Sequence, residues 1–155
     1  MARFRHTASF GKRQEFVVIA ELLKRGYDIY LTLVDDQQID CVIRYDNGKK
    51  IQYFDVQIKA RSSDCIPANA AEFAGINIQS PRKNYFFIFY SEAMDQYWIM
   101  SSLNLKKLGY ESQKGESLGK YRVKLARHLR TENRFEENPL FRKFVNDFDA
   151  FRRVH

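Results

Sequence analysis

The sequence predicts an α/β (α+β) fold: a mixed central β-sheet flanked by helices, as a single domain over residues 1–155. Three observations predict it. A helical apolar stripe runs through residues 11–25, strand-like segments fill 27–61 and 85–102, and a second helical stripe closes the chain at 138–154.

In "GKRQEFVVIAELLKR" (11–25), Val18, Ile19, Leu22 and Leu23 follow helical spacing, and Gly26 ends the helix. "YDIYLTLV" (27–34) reads as a strand and "IDCVIRY" (39–45) as a second. "DNGK" (46–49) is a hairpin signal, because Asn-Gly supplies the positive φ angles of a tight turn. A two-residue Asn47–Gly48 loop sets Asp46 against Lys49 and Asp40 directly opposite Asp55 on the returning strand, residues 50–61. Residues 62–84 read as a loop with one short element. "YFFIFYSE" (85–92) and "QYWIMSS" (96–102) form an antiparallel pair, followed by a short helix at "LNLKKLG" and a last strand at 120–126. Leu140, Phe141, Phe144, Val145, Phe148 and Phe151 give an amphipathic C-terminal helix over about 138–154, and residues 1–10 form a basic N-terminal arm.

Composition narrows the function. No apolar run reaches the roughly 20 residues of a membrane helix, and the N-terminus lacks the apolar segment of a secretory signal. A cytoplasmic protein without membrane contact is expected. Cys41 and Cys65 make no disulfide framework, and His6, His128 and His155 are scattered, which argues against zinc. The net charge is +7. Residues 120–155 hold 10 Lys/Arg against 5 Asp/Glu and residues 1–61 hold 11 against 8, so the basic excess sits at the two ends. A polyanionic partner, DNA above all, fits that pattern through counterion release.

Three places put polar groups in apolar company. Glu15 shares a helical stripe with Val18, Ile19 and Leu22; Asp40 lies between Ile39 and Cys41; Asp55, Gln57, Lys59 and Arg61 share one face of their strand. Carboxylate and amide oxygens suit a hard divalent ion such as Mg²⁺ (or Mn²⁺) that keeps several waters and accepts phosphate oxygens. Lys59, roughly 6–7 Å along the strand from Gln57, is placed to offset charge developing on a phosphate. These are parts for hydrolysing a phosphodiester bond with a metal-activated water. Each also has an ordinary structural explanation: Glu15 as a solvated first-turn residue, Asp40 and the strand face as exposed polar surface.

The order Gly11-x-x-x-Glu15 on a helix, Asp40 on a strand and Gln57-Ile58-Lys59 on the next resembles the PD-(D/E)XK nuclease superfamily. The opening helix is similar to that of Holliday-junction resolvases, and the Gln-x-Lys form resembles Mrr-like restriction endonuclease domains. The resemblance implies a restriction-endonuclease-like core and a Mg²⁺-dependent DNA endonuclease. In that pattern Asp40 is the main metal ligand, Gln57 a second, Ile58 a backbone-carbonyl ligand, Lys59 the catalytic lysine and Glu15 an outer ligand. Gln57 departs from the usual acid, and Asp55, on the same face, is a candidate to compensate. Arg3, Arg5, Lys12, Arg13 and Arg61 are candidate contacts to the DNA backbone, and a homodimer is the simplest way to cut two strands. The alternative is a catalytically inactive domain of the same fold that binds nucleic acid or a protein partner. The basic residues Arg127, Arg130, Arg134, Arg142, Lys143, Arg152 and Arg153 are read equally well as DNA-contacting or as solvated.

Overall fold

The computed structural model describes residues 3–34 and 38–154, with side chains from residue 8 onward. Helix α1 spans Arg3–Lys24 and so takes in most of the expected basic arm. Gly26 closes it at φ 82°. The Gly26 N–H donates to the Leu23 carbonyl at 2.9 Å and the Tyr27 N–H to the Leu22 carbonyl at 3.2 Å, the paired bonds of a Schellman stop.

Five strands form the main sheet: β1 (Asp28–Leu31), β2 (Cys41–Asp46), β3 (Ile51–Arg61), β5 (Tyr85–Ser91) and β6 (Gln96–Ser101), ordered β1-β2-β3-β5-β6. β3 and β5 run parallel and every other neighbouring pair is antiparallel, so the sheet is mixed, as expected. The segment joining β3 to β5 contains a 3-10 turn (Pro67–Asn69) and β4 (Glu72–Ile76). β4 belongs to a second small sheet, β4-β8-β7, with β7 at Tyr110–Glu111 and β8 at Tyr121–Lys124. Helix α2 (Ser102–Leu108) follows β6, capped by the Ser101 side chain, which accepts from the Asn104 N–H. β9 (Ala126–Leu129) and β10 (Arg134–Glu137) form a separate ribbon.

The main sheet is covered on both faces. Val18, Ile19 and Leu22 of α1 pack with Cys41, Ile43, Phe54, Val56, Ile58, Phe86 and Ile88 on one side. On the other, Tyr85, Phe87, Phe89, Trp98 and Met100 meet Phe73, Tyr121, Val123 and Leu105. The alternation of β3 and β5 divides their side chains between these two cores.

Three further expectations are corrected. The strand expected last, at 120–126, is followed by the β9–β10 ribbon. The β2–β3 loop has four residues rather than two: Asp46 pairs with Ile51, so Asp55 stands opposite Val42 and not Asp40. Side chains make the longer loop. The Asn47 side-chain oxygen (Oδ1) accepts the N–H groups of Lys49 and Lys50, and the Asp46 carboxylate accepts that of Gly48, each at 2.9 Å. The C-terminal segment is also no continuous α-helix but two 3-10 turns, Arg142–Phe144 and Phe148–Arg153. Asn146, at φ 50°, breaks it. Its backbone N–H donates to the Tyr97 carbonyl at 2.8 Å and its side-chain oxygen accepts the Tyr97 N–H at 3.0 Å, which ties the segment to β6. The apolar spacing still does its packing work, with Phe141, Phe144, Phe148 and Phe151 all buried.

Phe151 anchors that segment. It is fully buried, with ring centroids 5.5 Å from Tyr27, 5.6 Å from Phe54 and 4.7 Å from Phe86. Phe151→Ala is expected to cost about 3–5 kcal/mol, measured as a lower urea midpoint; a loss under about 1 kcal/mol would show that this segment does not close the core.

Candidate active site

The site forms where β2 stops short and β3 continues. The Asp40 N–H still bonds the Val56 carbonyl at 2.9 Å, but the residue lies just before the first ladder pair, Cys41–Val56. Continuing that register brings Asp40 level with Gln57. The Ile58 N–H, lying past the end of β2, then finds the Asp40 carboxylate as its acceptor at 2.6 Å. In an extended strand a residue's N–H and C=O point the same way, so the Ile58 carbonyl faces the Asp40 side as well.

Gln57 is only 4% exposed. A buried amide needs a partner, and its oxygen accepts from the Tyr85 hydroxyl at 3.3 Å. The same hydroxyl lies 3.5 Å from the Gln38 carbonyl. Burial pushes the Tyr85 hydroxyl up to about 12; the positive charge of Arg82 opposes this, and the carboxylates of Asp40 and Asp55 reinforce it. The phenol therefore stays neutral and stands among Gln57, Asp40 and Asp55. Lys59, two residues along the same strand face, is half-buried beside Phe89 of β5.

Glu15 enters from α1. Burial pushes the Cys41 thiol up to about 12, with further contributions from the negative charges of Asp40 and Glu15. Both carboxylates thus act on one buried group. Glu15 is also ion-paired with Lys12 one helical turn earlier. Asp55 is engaged differently: its carboxylate is held by Arg82, whose guanidinium stacks over the Tyr85 ring at 4.8 Å. Arg61 is tied to the β4 backbone, its Nε donating to the Glu72 carbonyl at 2.8 Å. Arg13 is exposed on α1, and the side chains of Arg3 and Arg5 lie outside the described residues.

The structure thus brings Asp40, Gln57 and the Ile58 backbone together, with Lys59 next along β3; Glu15 stands on α1, whose apolar stripe packs against the Cys41 and Val56 face of the sheet. It gives Asp55 an arginine partner instead. Among the described residues, no group of three or more His, Cys, Asp or Glu side chains is arranged to hold a metal ion. Tyr85 and Arg82 were not singled out in the sequence. Their place depends on the parallel β3–β5 register, which sets Asp55 beside Tyr85 and leaves no local sequence signal.

No family model and no curated protein matches the sequence. Solved structures do. The structure of a bacterial homing endonuclease, I-Ssp6803I, is similar over 91% of this chain and 89% of its own, at TM-score 0.58 and 15% identity. D212, a nuclease from a fusellovirus, is matched over 79% of this chain and 83% of its own, at TM-score 0.45 and 10% identity. At such low identity the first likeness establishes the fold alone: a mixed central sheet flanked by helices, shared with that homing endonuclease. No described helix is long and apolar enough to cross a membrane.

The two thiols report on the site without any ligand. Cys41 is fully buried and its thiol is pushed up to about 12, whereas Cys65 is partly exposed. At pH 8 a thiol reagent is expected to modify one cysteine per native chain and two after denaturation. Rapid native modification of both would show that α1 does not cover the end of β2.

Proposed function

We propose that the chain is a metal-dependent DNA endonuclease of the PD-(D/E)XK type, working in the cytoplasm. The observation that carries this reading is the level placement of Asp40 and Gln57 at the end of β2, with Lys59 next on the same face of β3. The fold it shares with a homing endonuclease supports it. The donor chemistry fits a hard ion: one carboxylate, one amide oxygen and one backbone carbonyl, all oxygen. Asp40, Gln57 and the Ile58 carbonyl would hold Mg²⁺ or Mn²⁺, with Glu15 as an outer ligand. The ion would supply positive charge against the phosphate and lower the pKa of an attacking water.

The chain's own groups do the rest. The Ile58 N–H fixes the Asp40 carboxylate, so its orientation does not wait on the substrate. The Tyr85 hydroxyl fixes the Gln57 amide. Lys59 would place an ammonium beside the phosphate oxygens as negative charge develops on them. Arg13 and Lys12 on α1, together with Arg3, Arg5 and Arg61, would hold the DNA backbone and set its register.

A second reading has its own support, because two of the acidic side chains, Glu15 and Asp55, already carry cationic partners. On that reading the domain binds nucleic acid without cutting it. Incubation with supercoiled, linear and branched DNA in Mg²⁺ or Mn²⁺ separates the two. Cleavage is expected for the wild type, with Lys59→Ala lowering the rate by about 100-fold or more. Asp40→Asn should abolish cleavage while an amide oxygen still accepts the Ile58 N–H. Cleavage that survives both substitutions would remove the assignment, and salt-sensitive binding without cleavage would favour the second reading.

A further inference from the structure

The backbone of β3 serves two neighbours by turns. Alternate residues of an extended strand direct both their N–H and their C=O to one side. The Asp55 N–H donates to the Asn84 carbonyl at 2.9 Å and the Glu92 N–H to the Arg61 carbonyl at 3.0 Å. Asp55, Gln57, Lys59 and Arg61 therefore bond to β5, and Val56, Ile58 and Ala60 direct their groups to the β2 side. On that side β2 ends early. The Val56 carbonyl has the Asp40 N–H, and the Ile58 N–H has the Asp40 carboxylate. Ala60 lies beyond both, and among the described residues its N–H has no hydrogen-bond partner.

This open stretch of edge continues the candidate site. Outward from the end of β2 it offers the Ile58 N–H, the Ile58 carbonyl and the Ala60 N–H, which are donor, acceptor and donor. The two N–H groups stand two residues apart, roughly 6–7 Å. The first already takes an anionic oxygen, that of the Asp40 carboxylate, at 2.6 Å. The second is the same kind of group facing the same way. The Ala60 methyl does not cross the edge, because it packs into the core on the α1 side of the sheet. A strand added from another chain does not fit, since β3 ends at Arg61 and leaves only one residue of unpaired edge past Ile58.

We propose that the Ala60 N–H binds a phosphate oxygen of the DNA, beside the cation position at the Ile58 carbonyl. The inference rests on the nuclease reading and adds to it a substrate contact made by the main chain. The order of groups along the edge matches the order of charges that reading requires. An anionic carboxylate sits on the Ile58 N–H, a cation belongs at the Ile58 carbonyl, and a second anionic oxygen belongs on the Ala60 N–H. Lys59, between them in the chain, supplies charge to a phosphate, and charge alone does not orient it. A backbone N–H fixed in a strand supplies direction, because a hydrogen bond weakens steeply away from linearity. The donor belongs to the backbone, so no side chain at position 60 announces it in the sequence.

Amide-resolved NMR of the isotope-labelled full chain, titrated with a short DNA duplex in Ca²⁺ as the hard cation, tests it. The Ala60 amide proton should move downfield, as a donor does on gaining a charged acceptor. Ala60→Pro removes the N–H. Proline is tolerated where that group faces away from the ladder, and Lys59 before it is already extended, as proline requires. DNA affinity should fall about 10-fold or more. The salt dependence of binding should keep its slope, because the lost donor carries no charge. Ala60→Ser, which retains the N–H, should bind as the wild type does. An Ala60→Pro chain that binds DNA as tightly as the wild type, or an Ala60 amide that stays put while its neighbours shift, would overturn the proposal. The amide measurement decides if Ala60→Pro does not fold. A chain that binds and cuts DNA with the Ala60 amide unmoved sinks this inference alone. One that shows the Ala60 shift and never cuts sinks only the catalytic reading, and one that binds no DNA sinks both.

Discussion

The bond from the Ile58 N–H to the Asp40 carboxylate, at 2.6 Å, is the interaction on which the candidate site depends. β3 runs eleven residues and outlasts β2, so its backbone must find acceptors past the end of its neighbour. A buried N–H left without one costs about 1–3 kcal/mol. Asp40 meets that need with its side chain and is thereby pinned level with Gln57, in one orientation, before any ligand arrives. The residue is structural and chemical together. Removing its side chain would report on both at once, whereas an asparagine separates the charge from the hydrogen bond.

The rest of the site follows from a sheet buried on both faces. With α1 on one side and the β4-β8-β7 sheet on the other, polar side chains of β3 survive only where partners reach them. Gln57 has Tyr85, and Asp55 has Arg82, which in turn stacks on Tyr85. This chain of contacts gives a physical reason for an amide at position 57. Asp40 and Asp55 already place two negative charges near the Tyr85 hydroxyl. A third carboxylate there would raise the cost of keeping all three ionised. An amide oxygen keeps a donor atom at the position without adding charge.

Much of this was legible in the sequence, and what was not had definite causes. The helix ending at Gly26, the hairpin, the Phe-rich strand pair and the polar face of β3 are local patterns, set by side-chain periodicity and turn chemistry. The convergence of Asp40 with Gln57 and Lys59 follows from the same patterns, although the predicted register was off by two residues. That error came from Asn47, whose side chain builds a four-residue loop where a two-residue turn was expected. Because the slip was even, every side chain kept its face, and only the identity of the residue opposite Asp40 changed. The C-terminal segment misled for the opposite reason. Its aromatic spacing suits an α-helix, but Asn146 bonds to Tyr97 on β6, a tertiary contact that spacing does not reveal. Tyr85 and Arg82 escaped notice because they reach the site through the parallel β3–β5 pairing, across residues far apart in the chain.

The central claim is that Asp40, Gln57 and the Ile58 carbonyl form one cation site. The most direct measurement is the anomalous diffraction of crystals equilibrated with Mn²⁺, which locates the ion independently of catalysis. The account predicts a single strong peak about 2.0–2.2 Å from an Asp40 carboxylate oxygen, within coordination reach of the Gln57 side-chain oxygen and the Ile58 carbonyl. A peak bound elsewhere, or no peak at Asp40 in crystals that take up Mn²⁺ at other carboxylates, would contradict it.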